Sequence, residues 1–255
     1  MRVFIRGGVK AEVAAVVGMA LIALLSVAVL AVIVVRWFSG QSKEHAPTTT
    51  FTDSRDGQTY KTVTIGKQTW MAENLNYKTD SGSWCYNDSI SYCMKYGRLY
   101  DWKTAAIVCP AGWKLPDTSD WDKLETAAGG WVAVAYKILK PWVFLDIPWG
   151  KRLKSKCGWK DSRDKYMDDS LIVYEPCDSI SGTDNYGFSA LPGGVRDHDD
   201  GSFYEVGEYG YWWMASECDG DNACGRQMRY DFDGVFGNDG DKYSGRSVRC
   251  VADRP

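Results

Sequence analysis

The sequence predicts an α+β domain of short antiparallel strands and two short helices, preceded by one N-terminal transmembrane helix. Three observations carry this. Residues 13–35 contain no charge, glycine-punctuated strand-like runs fill residues 51–71 and 202–251, and two segments between them join a capping residue to an apolar stripe of helical period.

From Val13 to Val35 every residue is apolar or small. As a helix, that run crosses roughly 30 Å of hydrocarbon. A signal peptide has an apolar region of about 7–15 residues ending at small side chains. This run is longer and ends at Arg36-Trp37-Phe38, so residues 13–38 read as an uncleaved anchor. Arg2, Arg6 and Lys10 against Glu12 keep residues 1–12 in the cytoplasm and export the chain beyond Arg36. The lipid bilayer is thus the first expected partner, and the bacterial cytoplasmic membrane the expected location. The start MRVFIRGGVKAE is also similar to a type IV prepilin, with Gly7 closing a basic leader and Glu12 as the fifth residue of the mature chain. Gly40 and Pro47 break the chain earlier than a pilin helix would end, so a pilin-like subunit stands as the alternative.

All eight cysteines (85, 93, 109, 157, 177, 218, 224 and 250) lie beyond the apolar span. That distribution suits an oxidising exterior and a disulfide framework. No CxxC pair occurs, and His45 and His198 are the only imidazoles, so neither a metal site nor a cofactor is expected. A net charge of −3 without a basic patch argues against nucleic acid as a partner.

Residues 39–50, SGQSKEHAPTTT, have little to bury and read as a linker to an exported domain over residues 51–255. Asp56-Gly57 precedes alternating Tyr60, Val63 and Ile65, and Gly66-Lys67 separates these from Thr69-Trp70-Met71, a pattern of paired strands. GRLYDWKTAA (97–106) reads as a short helix capped by Asp101. In CPAGWKLPDTSDWDKL (109–124), Pro116 sets the entry to a second helix, Asp117 is the N-cap and Asp120 its third residue. Trp121, Leu124 and Ala128 share a face, and Gly129-Gly130 ends the helix. The pattern degrades from Trp131 to Asp184, which reads as a loop-rich insertion at about 141–179 stapled between Cys157 and Cys177. SFYEVGEYGYWWMASE, RQMRYDFDGVF and YSGRSVRCV then each read as a strand, with DDG and GNDGDK as turns.

Taken together, DGQTYKTVTIGKQTWMAENLNY, GRLYDWKTAA, CPAGWKLPDTSDWDKL, GTDNYGFSALPGG, YGYWWMASE and GRSVRCV resemble the Fibrobacter succinogenes major paralogous domain, in the same order from Phe51 to Val251. That family is similar in pattern to C-type-lectin-like domains, in which a cysteine beside a helix pairs with one in the last strand. The resemblance therefore implies a Cys109–Cys250 bond. Cys85–Cys93 and Cys218–Cys224 are close enough to close small loops, and Cys157–Cys177 completes the set.

Twelve tryptophans and fifteen tyrosines point to a surface module for recognition or adhesion, directed at carbohydrate, another envelope component or a surface protein, while the resemblance itself names no ligand. Trp70, Trp113, Trp121, Trp212 and Trp213 fall within the shared motifs and read as core or half-buried residues. Trp142, Trp149 and Tyr174 in the insertion, with Trp159 at its edge, are the candidate ligand contacts. The run from Asp197 to Glu208 has the length of a calcium loop, but Gly201 stands where a ligand is needed and Ser202 where glycine is needed. The Asp-rich pairs at 197–200, 219–221, 231–233 and 239–241 read as turn chemistry instead.

GWKLPDTSDWDKL is also similar to the GxRLPTEAEWE motif of the formylglycine-generating oxidases, with Asp117 for threonine, Asp120 for the second glutamate and Lys114 for arginine. That chemistry needs free thiols of low pKa, whereas all eight cysteines can be paired. No Ser-His-Asp set or carboxylate pair stands out, so a non-catalytic module is expected and an oxidase-like enzyme is a second alternative.

Overall fold

A computed structural model describes residues 48–129, 149–160 and 181–253, all within the compact unit His45–Pro255. They fold as a mixed α+β domain, mostly strands with a few short helices. Strands β1 (Thr49–Thr52), β2 (Thr59–Ile65) and β3 (Gln68–Met71) form a meander. Ile65 pairs with Gln68 across the two-residue Gly66-Lys67 turn, which needs the left-handed backbone of Gly66 (φ +63°). Two short strands, β6 (Trp113–Lys114) and β13 (Val251–Ala252), extend this sheet in the order β1-β2-β3-β13-β6. Both faces are covered. Val63, Ile65 and Trp70 enter one core cluster with Trp121, Phe188 and Trp212, while Tyr60 and Met71 enter a second with Tyr100, Leu115 and Trp213.

The second sheet runs β11-β10-β9-β12-β5-β4: β4 (Ser83–Trp84), β5 (Leu99–Tyr100), β9 (Tyr209–Glu217), β10 (Asn222–Arg229), β11 (Phe232–Asp241) and β12 (Arg246–Ser247). A hairpin of β7 (Gly193–Arg196) and β8 (Phe203–Val206) joins it through a parallel contact between Gly194 and Gly210.

The two expected helices are present as α2 (Trp102–Val108) and α3 (Thr118–Gly129). Asp101 accepts the Thr104 amide at 2.8 Å. Ahead of it, Leu99 and Tyr100 belong to a strand and not to the helix. At α3 the cap is reciprocal: the Asp120 amide donates to Asp117 Oδ1 at 2.9 Å, and the Asp117 amide donates to Asp120 Oδ2 at 3.2 Å. Burial alone would raise the Asp120 pKa, but the Lys114 ammonium at 2.6 Å and the Asp117 amide hold it below the ordinary value.

Two further helices lie outside that expectation, α1 (Ile90–Tyr96) and α4 (Trp149–Leu153). The second corrects the reading of the insertion. Trp149, Leu153 and Trp159 are core residues, and α4 packs on β11 so closely that a Cβ at Gly150 would meet the Gly234 carbonyl at 2.3 Å. The strand runs are also cut differently. SFYEVGEYGYWWMASE turns at Gly207 (φ +83°) into β8 and β9, and RQMRYDFDGVF turns between Arg229 and Phe232. GNDGDK continues β11 instead of turning, because Gly240 makes room for a side chain: a Cβ there would lie 1.9 Å from Arg246 Nη2.

Disulfides join Cys109 to Cys250 (Cα–Cα 6.0 Å), Cys85 to Cys93 and Cys218 to Cys224. Cys157 is also disulfide-bonded, while Cys177 lies outside the described residues. The first bond closes a span of 141 residues, for which chain entropy allows about 4–5 kcal/mol. Among the described residues no helix is long and apolar enough to cross a membrane; residues 13–38 lie outside them.

Motif residues converge on Asn74. Its Oδ1 accepts from Trp212 Nε1 (2.9 Å) and from Arg249 Nε and Nη2 (3.0 and 2.7 Å), and its Nδ2 donates to the Tyr96 carbonyl (2.8 Å). Arg249, fully buried, also donates to the carbonyls of Met71, Phe188 and Ser189. One buried guanidinium thereby ties the segment between β12 and β13 to residues 71–74 and to residues 188–189.

Candidate ligand-binding face

Alternation along β9 sends Trp212 and Met214 into the core and Tyr209, Tyr211 and Trp213 to the other side of the sheet. Pairing extends this side across β10 and β11 in three rows: Trp213, Gly225 and Asn238; Tyr211, Gln227 and Phe236; Tyr209, Arg229 and Phe232. Cover thins from row to row. Trp213 is fully buried, Tyr211 is 8% exposed, and Phe232 reaches 36%. The face therefore opens towards the row containing Arg229.

Arg246 fills the closed end. Two glycines of the sheet leave it space: a Cβ at Gly240 would lie 1.9 Å from its guanidinium, and one at Gly225 3.0 Å. It donates to Asn238 Oδ1 and to the Asp239 carbonyl, and lies 4.4 Å from the Trp213 ring centre and 5.3 Å from that of Tyr211. Burial pushes its pKa down. The Tyr211 hydroxyl donates to Glu205 Oε2 at 2.6 Å, and burial together with that bond pushes the phenol well above its ordinary value. Glu205 reaches it from a left-handed backbone (φ +66°), unusual for a side-chain-bearing residue.

At the open end the Tyr209 and Tyr211 rings are parallel within 4°, with centres 5.7 Å apart, and Arg229 lies 5.5 Å from the Tyr209 ring centre. Asp231 accepts from Arg229 Nε and Nη2, both at 3.1 Å, which raises the Arg229 pKa. Phe232 and Phe236 sit 4.6 Å apart, centre to centre. Lys154 holds this turn from behind. Its fully buried ammonium donates to the carbonyls of Arg229 (2.7 Å) and Phe232 (2.9 Å), and burial pushes its pKa down to about 8.

This arrangement offers aromatic edges, a guanidinium, an amide and a phenol on a rigid support. Its two carboxylates, Glu205 and Asp231, are both engaged. It is suited to holding a ligand.

Two of the candidates read from the sequence fall elsewhere. Trp149 and Trp159 are 6% and 3% exposed, so neither presents a ring to a ligand. Trp159 Nε1 donates to Ser155 Oγ (3.1 Å) and the Ala190 carbonyl (3.0 Å) inside the core. Trp142 and Tyr174 lie outside the described residues. The period-2 pattern of YGYWW and RQMR could have pointed to the face; Lys154 carried no such signal.

The acidic turns are built as turn chemistry requires. Asp197 accepts the Asp199 amide, Asp200 the Ser202 amide, Asp219 the amides of Asp221 and Asn222, and Asp241 the Tyr243 amide, at 2.8–3.0 Å. Asp197, His198 and Asp199 come close enough to share an ion, but their cluster is largely solvent-facing.

The family model of the Fibrobacter succinogenes major domain matches residues 63–252. No curated protein and no solved structure matches the chain.

Proposed function

Because the chain belongs to the Fibrobacter succinogenes major domain family, we propose that it is an exported, surface-exposed recognition module with a C-type-lectin-like fold, tethered to the cytoplasmic membrane by residues 13–38. Its ligand is carbohydrate, held by the open end of the β9–β11 face. The observation carrying this is the row Tyr209, Arg229 and Phe232, where polar and aromatic groups meet solvent on a support fixed by Lys154. Aromatic side chains with polar neighbours suit wet binding surfaces, since they give contact area at small entropic cost. The disulfide-bonded state of the described cysteines supports binding over thiol chemistry.

The test is a glycan array probed with the full chain and with its Phe232→Ala/Phe236→Ala and Arg229→Gln variants. A polysaccharide signal that falls about ten-fold or more in the variants supports the reading. Silence across plant and bacterial polysaccharides removes its carbohydrate form. The start MRVFIRGGVKAE favours a second reading, a pilin-like subunit. Mass spectrometry of the mature chain separates the two: an intact Met1 fits the anchor, and a start at Gly8 fits the pilin.

A further inference from the structure

A groove of about 530 Å³ shares no residue with the β9–β11 face and lies within the range of small-molecule sites. One side is the turn between β1 and β2, another is residues 77–81, and the third is α2 with the residue before it. Its walls are braced. The buried carboxylate of Asp53 accepts from Arg55 Nε at 2.9 Å and Nη2 at 2.6 Å, fixing the guanidinium 3.9 Å from the Tyr77 ring centre. Thr79 is tied to the Ser81 carbonyl (2.6 Å) and to Ser83 Oγ (2.8 Å). Gly82, at φ +72°, lets this segment close on α2; a Cβ there would stand 2.2 Å from Thr104 Oγ1.

The lining carries charges of both signs. Lys103 and Arg55 supply cations, and Asp80 and Asp101 supply carboxylates. Among the described residues, Lys103, Asp80 and Asp101 form no ion pair, although they line one small groove. At the rim Ile107, 81% exposed, offers an apolar side chain. Unpaired charges of opposite sign beside an apolar rim complement a molecule that bears an ammonium, a carboxylate and an apolar side chain.

We propose that this groove binds a short zwitterionic peptide, its amino group facing Asp80 and Asp101, its carboxylate facing Lys103 and Arg55, and its apolar side chain against Ile107. This site is separate from the carbohydrate face and does not depend on it. The test is calorimetric titration of the full chain with the dipeptide leucyl-alanine, its N-acetyl form and its C-terminal amide. Saturable binding by the free dipeptide is expected, with affinity falling about ten-fold or more for each blocked form and for Asp80→Asn and Lys103→Gln. Both substitutions are at solvent-facing side chains, and an unchanged thermal melt verifies the fold. Phe232→Ala/Phe236→Ala should leave dipeptide affinity unaltered. The proposal is overturned if leucyl-alanine shows no saturable binding, or if the blocked forms and the charge variants bind as the originals do.

Discussion

Arg246 and Arg249 stand three residues apart in GRSVRC, and both are buried, yet they do different work. Arg249 sits where the chain crosses itself, and its donors meet Asn74 and the carbonyls of Met71, Phe188 and Ser189. Arg246 lies flat on a sheet whose glycines admit it, between two aromatic rings, with its Nε buried and without an acceptor. Neither has a carboxylate partner among the described residues. Burial alone does not assign a role to a charged side chain. One arginine holds segments together, and the other shapes a surface.

Substitution should separate them. Arg249→Met takes a buried donor from Asn74 and from the carbonyls of Met71, Phe188 and Ser189 at once and should cost about 3–5 kcal/mol in urea unfolding. Arg246→Met keeps the aromatic packing and should cost about 1–2 kcal/mol. Equal losses would break the distinction.

Lys154→Met tests the support beneath the open row. It strips two carbonyls of their donor and should lower stability by about 2 kcal/mol, with a larger proportional loss of glycan affinity than Arg246→Met produces. Gly240→Ala leaves the core untouched but pushes the Arg246 guanidinium off the sheet, an expected loss of about 1–2 kcal/mol by the same unfolding assay.

The gentlest readout is pH. Folded Lys154 releases its proton near 8, against 10.5 for the ordinary side chain. Between those values the unfolded chain binds more protons, so this group's contribution makes stability rise with pH across the window. The rise should be visible in the wild-type minus Lys154→Met difference, in which the other titrating groups cancel.

Much of the architecture was readable because it rests on local chemistry. The Asp101 cap, the Asp117–Asp120 reciprocal cap and the Gly66-Lys67 turn each depend on a few adjacent residues. The binding face was not, since its rows come from the register of three strands, and register is a property of pairing. Trp149 and Trp159 show the converse error. An aromatic-rich segment without periodicity reads as an exposed loop, yet five residues of it form a helix that closes the back of β11. GNDGDK misled for a related reason: its glycine serves a side chain from a distant strand, and no local signal distinguishes that from a turn.

The Cys109–Cys250 link also orders the protein's maturation. Cys250 is the last cysteine made, so Cys157, Cys177, Cys218 and Cys224 all emerge before Cys109 can meet its partner. Oxidation in order of appearance would trap it with the wrong thiol, whereas Cys85 and Cys93 can close as soon as both appear. Correct pairing therefore calls for thiol–disulfide reshuffling late in biogenesis, and a cell lacking an isomerase should accumulate cross-paired chains rather than native ones.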